Sequence, residues 1–93
     1  MGKTDLAERE VIPADEWPEV AYFAARVTAE RKARGWTQHQ AAQETGLSQP
    51  YISQVEMARQ NPSLMVMAQF ARAFGLPLSA LVPDRVIKNG AGS

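Results

Sequence analysis

Residues 37–56 place the strongest limit on the fold, because two short helical patterns meet there at a glycine. Thr37 precedes the first as its N-cap, and Gln40, three residues on, completes a capping box. In such a box each side chain satisfies a backbone N–H that the helix itself leaves unpaired. Gly46 ends this helix and supplies the left-handed residue of a tight turn. Ser48 then caps a second helix, roughly residues 49–57, with Pro50 in its first turn, where proline is tolerated. Ile52 and Val55 face inward, which leaves Gln49, Tyr51, Ser53 and Gln54 outside or at the rim. An outer face of glutamines and serine, where most helices carry charges, has the donors and acceptors that suit the edges of base pairs.

The flanking segments supply helices to support this pair. A first helix is predicted from Pro18 or Glu19 to Arg34, with Phe23, Val27 and Arg31 on one stripe and Val20 and Ala24 beside it. Lys32 and Arg34 suit the negative end of its dipole, and Gly35 stops it. Ala41 and Ala42 are small enough for another helix to approach closely. Asn61-Pro62-Ser63 opens a fourth helix to about Phe74, with Leu64, Met67, Phe70, Ala71 and Phe74 as its apolar stripe and Gly75 at its end. Residues 76–82 suggest a short fifth helix ended by Pro83, with Met57, Met65, Met67 and Trp36 in the core or at its rim. The expectation is an all-α, five-helix domain over residues 18–83. Residues 1–17, interrupted by Pro13, are expected to form a loose acidic arm, and residues 84–93 a frayed tail.

Composition removes several functions. Of 93 residues, 45% are hydrophobic, enough for one modest core, and no apolar run approaches the roughly 20 residues that span a bilayer. No basic segment followed by an apolar one marks a signal peptide, so the cytoplasm is the expected compartment. There is no cysteine and only one histidine, His39, so no metal or cofactor is expected. Without a glycine-rich phosphate loop or a catalytic carboxylate pair, an enzyme is not expected either. The net charge of zero hides an asymmetry: residues 1–19 carry two cations and six carboxylates, residues 20–93 eight cations and four carboxylates. A mildly basic body follows an acidic leader.

Several separated pieces together resemble the phage repressor and Cro family of helix-turn-helix regulators, also called XRE-type. They are Arg31 to Gly35, Trp36-Thr37-Gln38, Gly46-Leu47-Ser48, Tyr51-Ile52-Ser53, Val55-Glu56, Asn61-Pro62-Ser63-Leu64 and Phe74-Gly75-Leu76. The resemblance covers about residues 20–82 and implies a lambda-repressor-like DNA-binding domain. It departs at Ala58, where such proteins usually carry glycine at a positive φ, and over residues 1–17, which have no counterpart.

The resemblance implies that the third helix lies in the major groove of double-stranded DNA while the second crosses the backbone. Gln49 then becomes the candidate for a bidentate contact to adenine, with Pro50 against a thymine methyl and Ser53 and Gln54 reading further positions. Gln38, at the anion-friendly start of the second helix, is a candidate phosphate contact, as are Arg59, Gln60 and Asn61 in the loop after the third. Tyr51 divides between phosphate contact and packing, Ser48 is foremost a cap, and His39 is a solvated residue beside the backbone. Arg31 and Glu56 are expected to pair, partly buried, as a structural tie.

The leading expectation is a sequence-specific transcriptional repressor binding an inverted repeat as a homodimer, with its dimer surface at the leucines of the fifth helix and the end of the fourth. The alternative is a protein-interaction adaptor, or an antitoxin-type partner, with the acidic arm as the docking segment for another protein.

Overall fold

Proline at its first position and glycine just beyond its end set the limits of the first helix, α1 (Pro18–Ala33). The computed structural model describes residues 17–83, so the acidic arm up to residue 16 and the whole of the expected tail, 84–93, lie outside the described residues. Arg34 is the C-cap of α1, and Gly35 follows at φ 70°. Its N–H donates to the Lys32 carbonyl and that of Trp36 to the Arg31 carbonyl, a Schellman stop. Next come α2 (Gln38–Thr45), α3 (Gln49–Glu56) and α4 (Leu64–Phe74). Ser63 caps α4 by accepting from the Val66 N–H at 3.1 Å, and Gly75, at φ 71°, repeats the Schellman stop.

The fifth helix is smaller than expected: Leu78–Ala80 forms a single 3₁₀ turn. Pro77 stands at its N-cap, and Pro83 disfavours helical backbone at the residue before it. Only five residues lie between the two prolines, little more than one α-helical turn. Arg26 holds this turn to α1 by donating Nε–H to the Ala80 carbonyl at 3.3 Å.

Phe23 and Val27 of α1, Ala41 of α2, Ile52 and Val55 of α3, Phe70, Ala71 and Phe74 of α4, and Leu81 close around one core. Phe23 and Phe70 meet edge to face at 5.7 Å, and Trp36 stacks on Phe74 at 5.8 Å. Three apolar assignments fail. Leu64 and Met65 are 64% and 72% exposed, and Met57 is 46% exposed. Leu64 is the first residue of α4, at the end of the helix, while Met65 lies on the side nearly opposite the stripe of Phe70, Ala71 and Phe74, about 170° away at about 100° per residue. Met57 is the C-cap of α3, where the helix leaves the core. Leu81 and Phe74, expected on a dimer surface, are instead buried within this chain's own core, at 0% and 5% exposure.

Candidate nucleic-acid interface

The α2–turn–α3 unit forms by the local rules its sequence displays. Thr37 Oγ1 accepts from the Gln40 N–H at 3.0 Å, and Gln40 Oε1 accepts from the Thr37 N–H at 2.7 Å, so the capping box closes. Gly46 takes φ 81°, a conformation that costs a residue with a Cβ about 1–2 kcal/mol. Thr45 locks the turn from inside: its hydroxyl donates to the Ala41 carbonyl at 2.7 Å and accepts from the Leu47 N–H at 3.1 Å. From α4, Gln69 Nε2 donates to the Thr45 carbonyl at 3.3 Å. Ser48 Oγ accepts from the Tyr51 N–H at 3.2 Å and starts α3.

Helical geometry then sorts the side chains of α3. Ile52 and Val55 are buried, fixing the helix to the body. At about 100° per residue, Gln49, Pro50, Ser53 and Gln54 fall on one stripe on the opposite side. Gln49 and Pro50 are exposed, and Ser53 and Gln54 are half-exposed along the same face. Tyr51 lies off the stripe, half-buried against the core, which favours its packing role. Past the helix, Arg59 and Asn61 are exposed and Gln60 is half-exposed.

Ala58 takes φ 58°, the only non-glycine residue with positive φ among the described residues. It sits where glycine ends the other Schellman stops: its N–H donates to the Val55 carbonyl and the Arg59 N–H to the Gln54 carbonyl, both at 2.9 Å. The left-handed backbone costs alanine about 1–2 kcal/mol, whereas glycine adds about 0.5–1 kcal/mol of unfolded-state entropy. Ala58→Gly is therefore expected to stabilise the domain by about 0.5–1 kcal/mol, raising Tm by a few degrees in a thermal melt. A lower Tm would mean that the Ala58 methyl makes packing contacts worth more than the strain.

Arg31 and Glu56 pair as expected. Arg31 Nε donates to Glu56 Oε2 at 2.6 Å and Nη2 to Oε1 at 3.0 Å, a bidentate fork, while Nη1 donates to the Trp36 carbonyl at 2.9 Å. Gln38, expected to face a phosphate, is half-buried and donates its Nε2–H to Glu56 Oε1 at 3.0 Å. Spacing along the sequence does not disclose that bond. Arg34 does more than complement the helix dipole. Its guanidinium donates to the Glu30 carboxylate and to the Phe74 carbonyl, and it lies 4.8 Å from the Phe74 ring centroid. The i,i+4 spacings of Arg26, Glu30 and Arg34 could have signalled the paired network they form.

These pairs redistribute the charge. The described residues hold six lysines and arginines and four glutamates, and Arg26, Arg31 and Arg34 are committed to Glu30 and Glu56. Lys32, Arg59 and Arg72 form no ion pair among the described residues. Of these, Arg59 lies exposed in the loop that follows α3.

Comparison with known proteins agrees with this geometry. The immunity repressor protein of Bacillus phage phi105 is 39% identical over 62 residues, which span 67% of this chain and 43% of that protein. The chain thus matches less than half of the phage repressor's length. The hypothetical transcription factor NHTF from Neisseria superposes with a TM-score of 0.68 at 30% identity, covering 85% of this chain and 93% of that one. The restriction-modification controller protein C.AhdI from Aeromonas hydrophila superposes with a TM-score of 0.64 at 29% identity, covering 67% of this chain and 94% of that one. The family model of the HTH_3 helix-turn-helix matches residues 27–81, more than half of the sequence and all of the α2–turn–α3 unit. The chain belongs to the HTH_3 helix-turn-helix family.

Proposed function

We propose that this chain is a sequence-specific, double-stranded-DNA-binding transcriptional repressor that acts as a homodimer in the cytoplasm. The observation that carries this reading is the stripe of Gln49, Pro50, Ser53 and Gln54, presented outward while Ile52 and Val55 hold the helix from behind. A helix so mounted fits the major groove with its N-terminal residues toward the base edges. Gln49 and Gln54 offer the paired donor and acceptor that adenine N7 and N6 require, Ser53 reads with little bias, and Pro50 gives apolar contact to a thymine methyl. Gln38, Arg59, Gln60 and Asn61 contact phosphates and set the register, while Tyr51 packs behind the helix. One such helix reads only a few base pairs, so two copies binding half-sites about 34 Å apart supply useful specificity. Repression is favoured over activation by the likeness to a phage immunity repressor.

Selection of bound sequences from a random DNA library tests the reading, with the double variant Gln49→Ala, Gln54→Ala in parallel. Enrichment of an inverted repeat is expected for the wild-type protein and its loss for the variant. On the selected site, Gln49→Ala alone is expected to cost about 1–3 kcal/mol of binding and to relax preference at one position per half-site. Failure of the wild-type protein to enrich any sequence, at low salt and micromolar concentration, would redirect the assignment to a protein-interaction module.

A further inference from the structure

The helices α2 and α3 are joined at one end by the turn Gly46-Leu47-Ser48, and Gln69 reinforces that end through Thr45. Their other ends, the first residue of α2 and the last of α3, have no covalent link. A single side-chain bond joins them there: Gln38 Nε2 to Glu56 Oε1 at 3.0 Å. The direction of this bond is fixed by chemistry, since a carboxylate only accepts and the amide must present its NH₂ group. Glu56 also stands at the C-terminus of α3, where a negative charge opposes the helix dipole, so local preference does not account for it there. Its carboxylate is 7% exposed and takes three hydrogen bonds, two from Arg31 and one from Gln38. Of the three bonds, the two from Arg31 tie the end of α3 to α1, and the one from Gln38 ties it to the start of α2.

We infer that Gln38 is a positioning residue for sequence readout, closing the open end of the helix pair so that the helix on the DNA backbone sets the angle of the helix on the bases. The inference rests on the DNA-binding reading above. The Gln38 amide nitrogen carries a second hydrogen, which is available to a phosphate at the start of α2. One NH₂ group then holds both the DNA backbone and the carboxylate at the end of the reading helix. A plain phosphate contact would strengthen binding to every sequence alike, whereas a tie between the two helices strengthens binding only where the bases match.

The test compares affinity for the selected operator with affinity for random duplex of equal length, at one salt concentration. Gln38→Met keeps the length and bulk of the side chain but donates nothing. It is expected to lower the operator-to-random ratio about tenfold, the size of one lost hydrogen bond to a charged acceptor. Gln38→Lys can again donate to Glu56 and is expected to restore the ratio while raising affinity for both duplexes. An unchanged ratio in Gln38→Met, with both affinities lowered equally, would overturn the inference and leave Gln38 as a phosphate contact. A lowered ratio that Gln38→Lys fails to restore would also overturn it, because the bond to Glu56 would not be the cause. If the wild-type protein shows no preference between the duplexes, the failure lies with the DNA-binding reading itself.

Discussion

Arg31→Ala is expected to lower the free energy of unfolding by about 3–5 kcal/mol, a large share of the roughly 5–14 kcal/mol that a chain of this length has. The cause lies in what remains after the substitution. Glu56 is 7% exposed at its side chain and Arg31 is 12% exposed, so both charges have largely left water. Removing the guanidinium takes away two of the three hydrogen bonds to Glu56 and leaves its carboxylate with Gln38. It also strips the Trp36 carbonyl of its donor at the junction between α1 and α2. Urea denaturation followed by circular dichroism would measure the loss. The pair itself contributes little net stability, since desolvating two charges cancels most of their attraction. Arg31→Met combined with Glu56→Leu is accordingly expected to recover much of what Arg31→Ala loses. A loss below about 1 kcal/mol for Arg31→Ala would mean that water reaches the Glu56 carboxylate once its partner is gone.

The features legible in the sequence are those decided within a few residues. Thr37 with Gln40, Ser48 and Ser63 cap helices because a hydroxyl can reach the N–H two or three residues on wherever the chain turns. Gly35, Gly46 and Gly75 take positive φ for similarly local reasons, whereas Ala58 stands out only against the family pattern, which implies strain or a different turn there; its φ of 58° selects strain. The outward face of α3 was legible as well, because burial of Ile52 and Val55 fixes which residues lie opposite. Arg31 with Glu56, 25 positions apart, was reached through family resemblance and not through spacing.

What stayed hidden depends on how the helices meet in space. Leu64 fits the periodicity of α4 but lies at its end, beyond the packed region, and periodicity carries no information about where a neighbouring helix stops. Leu81 reads as a surface leucine of a short amphipathic helix, yet the two prolines shorten that helix to one 3₁₀ turn and the leucine enters the core. The bonds from Gln38 to Glu56 and from Arg34 to the Phe74 carbonyl join residues 18 and 40 positions apart. Long polar side chains choose such partners only after the backbone is placed. The residues proposed to touch DNA were thus easier to name than the residues that hold them in place.

Phe70→Ala is expected to cost about 3–5 kcal/mol, through the lost burial of the ring and the cavity it leaves. Phe70 is fully buried, meets Phe23 edge to face at 5.7 Å, and lies 6.2 Å from Phe74, so it bridges α1 to the end of α4. The aromatic contact with Phe23 adds about 0.5–1.5 kcal/mol beyond the area buried. Phe70→Leu, which refills most of the volume, is expected to lose clearly less. Phe70 lies away from the α3 stripe and is not among the residues proposed to touch DNA. Its loss therefore separates stability from recognition, provided binding is measured where the variant is still folded. There, operator affinity corrected for the folded fraction should match that of the wild-type protein, and saturating operator should raise the variant's Tm by mass action. If the corrected affinity falls as well, the angle between α2 and α3 is held by the aromatic core and not only by the turn and the polar bonds at their two ends. That outcome would make the core a direct determinant of recognition in this domain.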